Sequence, residues 1–359
     1  MQVDRRRNFV SDNHSGVCPE AWLAMEEANR HHIDAYGRDQ YTDKVCDLFR
    51  ELFETDCEVY FAFNGTAANS LALSSICRSY HSMICHRISH VETDECGAPE
   101  FFSGGSKVIQ VDGDNAKLHP STIEALAQRR PDLHFPKVKG VSLTQATEVG
   151  TVYDPAELQA LGELTNRLGL HIHMDGARFA NALATLQCSP KDITWKAGVD
   201  ILCFGGTKNG MAIGEVILIF NKELAHEFDY RLKQAGQLCS KMRYLSAPWL
   251  GMFEHDTWLK NARNSNAAAQ RLKAGLEEMG IEILYPVQAN SVFAKLDERL
   301  MAGMLYRGWK FVHFVAAGGC RIMCSWDTTT EDVDAFVKDM KELVESDEDR
   351  TDEVEIMSH

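Results

Sequence analysis

The chain has 359 residues, 45% of them hydrophobic and 25% charged, and its formal net charge at pH 7 is −15. This length and composition are typical of a globular protein with one large domain and one smaller domain. The negative charge argues against nucleic-acid and anionic-membrane partners, which favour clustered Lys and Arg. No apolar window reaches the length of about 18 residues that a membrane span needs.

Eleven cysteines occur without a CxxC pair, and no apolar stretch follows the positively charged start of the chain. Secreted proteins carry a signal peptide and usually pair their cysteines. These features therefore predict a cytoplasmic protein with reduced, mostly buried thiols. The Cys and His spacing does not suit a structural zinc site, so no metal is expected.

Strand and helix signals alternate through most of the chain. Residues 19–55 are typical of helices, and residues 57–77 of a strand, a Gly-containing turn and a helix. A further helix is predicted over 155–169, and further strands within 82–90, 106–112, 133–148, 170–175, 200–206 and 215–220. Short apolar runs between helices predict a mostly parallel sheet with both faces covered, hence an α/β fold.

The remaining chain predicts a smaller C-terminal α+β domain. Residues from Leu259 to Gly280 have the pattern of a long amphipathic helix, and a second helix is predicted after Asp327. Strands are predicted within 287–297 and 319–326. We place the large domain at 1–250 and the small domain at 251–345. The charge-dense residues 346–359 are expected to form an acidic tail that is solvated or disordered.

Several common catalytic motifs are absent from the sequence, namely GxGxxG, GxxxxGK[ST], HExxH and GxSxG. Their absence argues against the usual Rossmann dehydrogenases, P-loop ATPases, zincins and α/β-hydrolases. The chemistry must therefore be sought in less familiar patterns at the ends of the predicted strands.

Three short stretches place polar residues at such strand ends. In "FNGTAAN", Gly65 and Thr66 open a helix whose N–H groups suit phosphate, although a plain N-cap is commoner. In "CFGGTKNG", desolvation after an apolar strand would make Lys208 a nucleophile, although an exposed turn lysine is commoner. In "HMDGARFANA", Asp175 ends an apolar strand, and a local ion pair with Arg178 remains an alternative.

Taken together, these three features favour one cofactor. A helix start for phosphate, a buried aspartate for a ring nitrogen and a lysine for a Schiff base are what pyridoxal phosphate requires. All three lie at predicted carboxyl ends of strands, where α/β sheets bind ligands. Pyridoxal phosphate is therefore the expected cofactor, and its pyridinium is the expected partner of Asp175.

With these residues, the sequence resembles the fold-type-I, transferase-like enzymes that depend on pyridoxal phosphate. It is most similar to the low-specificity L-threonine aldolases of the β-eliminating lyase group. The resemblance covers most of the chain, from near Phe9 to near Phe336, and rests on "HMDGARFANA", "FGGTKNG", "SHVETDECGAPEFFSGG" and "LTQATEVGTVY". It implies a large domain with a mostly parallel sheet, a smaller C-terminal domain, and a dimer or tetramer with shared active sites.

The resemblance also implies roles for individual residues. Lys208 would bind the cofactor covalently, Asp175 would face the ring nitrogen, and His90 would stack on the ring and assist proton transfer. The cofactor would further contact these residues: Gly65, Thr66, Thr207, Arg178 and, from a neighbouring subunit, Arg243. The α-carboxylate of an amino-acid substrate would be held by Arg178 and Arg321 with Ser11 alongside, since guanidinium forks match carboxylates.

The implied reaction is cleavage of L-threonine or L-allo-threonine to glycine and acetaldehyde. Some members of the group carry a histidine in the loop after the central strand, but here that loop has Thr147 and Glu148. The base for the β-hydroxyl is therefore open between His90, Glu148 and a water held by the cofactor phosphate. Other amino-acid reactions of the cofactor, such as β-elimination, racemisation and transamination, remain alternatives, as does a non-catalytic oligomeric binding protein.

Overall fold

A computed structural model of the protein describes residues 8–130, 132–314 and 319–356. Its larger sheet has seven strands in the order β1-β7-β6-β5-β4-β2-β3. The strands are β1 (Glu58–Ala62), β2 (His81–His86), β3 (Lys107–Val111), β4 (Lys137–Thr144), β5 (His171–Gly176), β6 (Ile201–Gly205) and β7 (Glu215–Ile219). Strand β7 is antiparallel to both neighbours and the other pairings are parallel, so the predicted mostly parallel sheet is confirmed.

Helices cover both faces of this sheet, and the sequence of β6 shows why. Leu202 and Phe204 pack into one apolar cluster, whereas Ile201 and Cys203 pack into another, because successive side chains of a strand point to opposite faces. A strand that is apolar at every position therefore needs cover on both sides. This arrangement confirms the predicted α/β class.

The helices follow the chain order of the predicted elements. They are α1 (Pro19–Ala28), α2 (Gln40–Phe53), α3 (Gly65–Ile76), α4 (His90–Thr93), α5 (Ala98–Phe102), α6 (Pro120–Gln128), α7 (Pro155–Leu168), α8 (Phe179–Leu186), α9 (Phe228–Gln234), α10 (Arg243–Ser246), α11 (Pro248–Phe253), α12 (Thr257–Glu278), α13 (Glu298–Tyr306) and α14 (Thr330–Ile356). Local signals explain the bounds of α7. Asp154 and Glu157 form a capping box at its start, and Gly169 ends it with a φ of 66°.

The second sheet has three antiparallel strands in the order β8-β10-β9, namely β8 (Ser291–Ala294), β9 (Val312–Phe314) and β10 (Gly319–Met323). The amino-terminal segment also packs here. The ring of Phe9 lies 5.7 Å from that of Trp309 and 5.4 Å from that of Phe336, centroid to centroid. The segment predicted with the large domain thus adds a side chain to the core of the small sheet. The boundary at residue 250 stays a prediction.

Two further sequence-based expectations can be compared with the structure. Helix α14 continues through Ile356 without a break at residue 346, so the backbone of residues 346–356 is helical, and the acidic tail as a separate segment stays a prediction. Residues 357–359 lie outside the described residues. All eleven cysteines are described as free thiols, and seven of them are buried, as predicted. None of the described helices is long and apolar enough to cross a membrane.

Candidate active site

The polar residues predicted at strand ends lie along the carboxyl-terminal ends of the parallel strands of the large sheet. Asp175 is opposite Cys203 in the parallel pairing of β5 with β6, and Lys208 follows β6 after Gly206 and Thr207. The two turns are in close contact. A Cβ atom on Gly205 would lie 2.5 Å from the carbonyl oxygen of Ala177, so only glycine permits this approach. Asp175 and Lys208 are thereby held at the ends of adjacent strands, Asp175 within β5 and Lys208 in the turn after β6.

Asp175 is buried, and its two oxygens bind neutral groups. Oδ2 accepts a hydrogen bond of 2.9 Å from Nδ2 of Asn69, and Oδ1 accepts one of 2.9 Å from the backbone N–H of Ala177. The local ion pair with Arg178 that the sequence left open is not formed, because Arg178 pairs with Asp12 instead. A buried carboxylate with only amide partners keeps its negative charge available for a cationic ligand.

Lys208 lies in a short 3₁₀ turn (Thr207–Asn209), whose ends are fixed by buried side chains. Glu215 accepts a hydrogen bond of 2.8 Å from the backbone N–H of Gly206, and its carboxylate is also bonded to Thr207. Nδ2 of Asn209 donates to the carbonyl oxygen of Trp258 at 2.8 Å. Burial and the charge of Arg178 lower the pKa of Lys208, so its amine gives up a proton more readily than an exposed lysine.

His90 begins α4 and belongs to a network that reaches Asp175. Its Nδ1 lies 2.8 Å from Oε1 of the buried Glu95, and Nδ2 of Asn69 donates to that same oxygen at 2.8 Å. The hydrogen bond to the carboxylate of Glu95 raises the pKa of His90. One potential metal-ligand atom of each of His90, Glu95 and Asp175 lies within 4.8 Å of the others. The amide of Asn69 donates to both carboxylates, which favours a hydrogen-bond network over a cation site.

Helix α3 begins at the predicted phosphate loop. The side chain of Asn64 accepts a hydrogen bond of 2.9 Å from the N–H of Ala67, so the N-cap considered from the sequence is present. This cap does not use the N–H groups of Gly65 and Thr66, and these groups have no acceptor within the helix. A Cβ on Gly65 would meet no atom within 4 Å, so open space adjoins the helix start. An anion can therefore approach these groups.

Arg178 is held by a buried carboxylate that sequence reasoning missed. Its Nε and Nη2 lie 2.7 and 3.0 Å from the two oxygens of Asp12, and Nδ2 of Asn290 donates to Asp12 at 3.0 Å. Burial alone would raise the pKa of Asp12, but Arg178 and Lys208 hold it below its ordinary value. The position of Asp12 directly after Ser11 is a signal that could have suggested it.

Arg321 lies in β10, close to the same amino-terminal segment. Its Nη2 donates to the carbonyl oxygen of Val10 at 3.2 Å, and its buried Nε has no hydrogen-bond partner in the described parts of the chain. Burial and the charge of Arg178 lower the pKa of Arg321. Oγ of Ser11 accepts a hydrogen bond of 3.2 Å from the N–H of Asn13. Ser11 thus lies between Val10, which contacts Arg321, and Asp12, which contacts Arg178.

Arg243 is a predicted site residue, but the contacts that the structure describes for it lie outside the site. It begins α10, and its Nε donates to the carbonyl oxygen of Ala28 at 3.0 Å. Its guanidinium also lies over the ring of Tyr244, 5.1 Å from the centroid. A role for Arg243 in the site of a neighbouring subunit stays a prediction.

The loop after β4 contains the two residues that take the place of the histidine found in some members of the group. Thr147 is buried, and its hydroxyl lies 2.7 Å from that of Thr151. Oε1 of Glu148 accepts hydrogen bonds of 3.0 Å from the N–H of His90 and 2.7 Å from the hydroxyl of Thr144. Glu148 therefore joins the His90 side of the site, whereas Thr147 stabilises its own loop.

Comparisons with known proteins define the fold and the family of the chain. The chain is 57% identical to a low-specificity L-threonine aldolase of Pseudomonas aeruginosa over 94% of this chain and 98% of the relative. A solved threonine aldolase structure from Leishmania major superimposes with a TM-score of 0.89 at 30% identity, covering 94% of this chain and 99% of that one. The architecture is that of the fold-type-I enzymes.

A family profile and a second relative define the family of the chain. Residues 8–299 match the sequence profile of the β-eliminating lyases. A second relative, from a Pseudomonas species, is also a low-specificity L-threonine aldolase and is 56% identical over 95% of this chain and 99% of its own length. The chain therefore belongs to the β-eliminating lyase family, as the sequence motifs indicated.

Proposed function

We propose that the protein is an aldolase dependent on pyridoxal phosphate that cleaves L-threonine and L-allo-threonine to glycine and acetaldehyde. The observation that carries this proposal is the buried Lys208 on a strand end beside Asp175, a carboxylate with amide partners alone. The high identity to low-specificity L-threonine aldolases supports the choice of substrate and bond.

The donor set around Lys208 fits pyridoxal phosphate. Asp175 would accept a hydrogen bond from a protonated ring nitrogen, Lys208 offers a buried amine for the carbonyl carbon, and the start of α3 offers backbone N–H groups for the phosphate. His90 lies on the same network as Asp175 and would cover the ring. When bound, pyridoxal phosphate supplies an electron sink for the pair released as a bond to Cα breaks.

The residues of the chain select which bond breaks by holding the substrate. Arg321 has a buried Nε available for a carboxylate oxygen, and Arg178 is fixed beside it by Asp12. Holding the α-carboxylate between these guanidinium groups fixes the rotation about Cα. Cleavage of the Cα–Cβ bond further requires a base within reach of the β-hydroxyl, and the release of that proton yields the aldehyde.

The proposal extends to assembly and compartment. A homodimer or homotetramer in which Arg243 contacts the cofactor phosphate of a neighbouring subunit would explain why Arg243 lies apart from Lys208 in the single chain. The cytoplasm is the compartment we propose, because free and mostly buried thiols are typical of proteins in a reducing environment. Sedimentation of the cofactor-loaded protein, with Arg243→Ala as the variant, tests the assembly and the shared site together.

A comparison of products tests the reaction. Purified protein loaded with pyridoxal phosphate is incubated separately with L-threonine, L-allo-threonine and L-serine, and acetaldehyde, glycine, pyruvate and ammonia are measured. From each of the two threonine diastereomers, the proposal predicts one molecule of acetaldehyde for each molecule of glycine. Pyruvate and ammonia from serine without acetaldehyde from threonine would favour β-elimination, the second candidate that the family name suggests.

A further inference from the structure

Glu148 has one carboxylate oxygen in use and one unused. Oε1 accepts hydrogen bonds from the N–H of His90 and from the hydroxyl of Thr144. Oε2 is buried and has no hydrogen-bond partner among the described residues. A buried acceptor without a partner costs free energy, which a protein tolerates where a ligand completes the hydrogen bond.

The loop around Glu148 is fixed by hydrogen bonds, so the side chain has a defined place. The hydroxyl of Thr151 donates to the carbonyl oxygen of Asn115 at 2.6 Å, and the side chain of Gln145 bonds to both backbone groups of Tyr153, at 2.9 and 3.0 Å. A preorganised carboxylate is suited to proton transfer, because little motion is needed before the reaction.

Glu148 also interacts electrostatically with Arg178 and with Asp175. Its charge raises the pKa of Arg178, which is expected to bind the substrate carboxylate, and the charge of Asp175 raises the pKa of Glu148. Its contact with the backbone of His90 places it at the start of α4. The carboxylate therefore lies among the groups expected to surround Cα and Cβ of a bound amino acid.

The other carboxylates near the site have different partners. Both oxygens of Asp12 are taken by Arg178, and Glu215 binds the turn that holds Lys208. Glu95 also has an unpaired oxygen, but the residue is fully buried and its other oxygen binds His90 and Asn69, whereas Glu148 is only partly buried as a residue. Nδ1 of His90 is occupied by Glu95, and this hydrogen bond raises the pKa of His90, so more of the imidazole already carries its second proton at neutral pH.

We propose that Glu148 is the general base that removes the β-hydroxyl proton, an inference that rests on the proposed aldolase function. The proton passes from the substrate oxygen to Oε2 of Glu148. The electron pair of the O–H bond becomes the second C–O bond of the aldehyde, and the Cα–Cβ pair remains on the Cα side. Glycine gains at Cα the one proton that the hydroxyl loses, so no further reactant is needed.

The acid strength of Glu148 agrees with this role. Burial raises the pKa of Glu148 to about 7, although hydrogen bonds from Thr144 and His90 oppose the shift. A carboxylate with this pKa is a stronger base than an exposed glutamate and is still partly ionised at neutral pH. Because the ionised form is the base, kcat should fall as the pH is lowered through about 7.

Glu148→Gln in the cofactor-loaded protein tests the proposal. The amide keeps the hydrogen-bond acceptor at Oε1 but cannot take a proton, so kcat for acetaldehyde release should fall by about 10²–10⁴-fold. The loss of kcat near pH 7 should disappear, while KM changes little. Glu148→Asp, which retains a carboxylate, should recover part of kcat, and Glu163→Gln on the exposed face of α7 should match the wild type.

Two binding measurements separate this role from a structural one. Glu148→Gln should keep the visible absorption of the bound cofactor and the spectral shift that glycine produces, since glycine has no β-hydroxyl. Loss of both signals together with kcat, or an unchanged kcat and pH profile, would overturn the assignment of the base. A wild-type protein that releases no acetaldehyde would overturn the aldolase proposal as well, so the two failures are distinguishable.

Discussion

The site has a cofactor half around Asp175 and a carboxylate half around Arg178 and Arg321. The charged groups of these two halves have different kinds of partner. On the cofactor half, Asp175 is a buried anion whose partners are the amide of Asn69 and one backbone N–H. On the carboxylate half, the cation of Arg178 is already neutralised by Asp12 within the same chain. One half therefore presents a carboxylate whose direct hydrogen-bond partners are all neutral, whereas the other presents a fixed geometry.

This difference indicates what each half contributes to binding. A carboxylate without a cationic partner gains free energy when a protonated ring nitrogen arrives, so Asp175 should control the cofactor and its electronics. Arg178 gains less from a second anion, because its charge is partly satisfied. Arg321, with its unpaired Nε, should supply most of the attraction for the substrate carboxylate, and Arg178 should supply orientation.

Among substitutions in these two halves, the largest effect is expected at Asp175, where a substitution removes a carboxylate whose direct partners are all neutral. Asp175→Asn keeps the size but has an acceptor oxygen for only one of the hydrogen bonds from Asn69 and Ala177, and it cannot stabilise a protonated ring nitrogen. We expect kcat on L-threonine to fall by about 10²–10³-fold, the usual loss of one electrostatic contact in an active site. An absorption titration should also show weaker cofactor binding, and a wild-type kcat in this variant would mean that Asp175 does not face the ring.

The next effect is expected at Asp12, which should act on stability and on KM. Asp12→Asn leaves the buried guanidinium of Arg178 without its counter-ion, and the free energy of unfolding should fall by about 3–5 kcal/mol. KM for L-threonine should rise as Arg178 loses its fixed orientation. The control is Asp334→Asn, which breaks an exposed pair with Arg271 and should cost at most about 1 kcal/mol.

The pH dependence of stability separates these variants further. The pKa of Asp12 in the folded chain lies below its ordinary value. Its contribution to stability is therefore present at neutral pH and is lost as the pH falls through the folded-state pKa, below about 4. The wild type should lose more stability in acid than Asp12→Asn. A lower KM in that variant would show that Asp12 competes with the substrate for Arg178 instead of positioning it.

The smallest effect is expected for a change that keeps the charge of the carboxylate half. Arg321→Lys retains the cation but loses the planar fork, so KM for L-threonine should rise while the cofactor absorption and the stability change little. The matched control is Arg271→Lys at the surface, which should leave KM unaltered. Equal KM values for both variants would contradict a direct contact between Arg321 and the substrate carboxylate.

The same comparison explains what the sequence could predict. Asp175 and Lys208 were predictable because each ends an apolar strand, where an isolated charge needs a ligand. The pair of Asp12 with Arg178 joins residues 166 positions apart, and no local pattern encodes which buried charge meets which. Glu95 and Glu215 were missed for the same reason, since their partners come from other elements.

The fold was predictable where a local pattern indicates it and was missed where distant parts of the chain meet. The large sheet was predicted from short apolar runs, since burial on both faces leaves a local signature in each strand. The packing of Phe9 against Trp309 and Phe336 depends on chain ends meeting in space, which composition cannot indicate. The helical continuation of α14 through acidic residues was likewise missed, because a charge-dense sequence alone favours a solvated chain.

The covalent attachment of the cofactor to Lys208 is the central claim, and one measurement tests it directly. Protein loaded with pyridoxal phosphate is reduced with borohydride, digested and mapped by mass spectrometry. We expect one pyridoxyl group per chain, on the peptide that contains Lys208, and none on that peptide in Lys208→Ala. A label on a different lysine, or no label at all, would contradict the account.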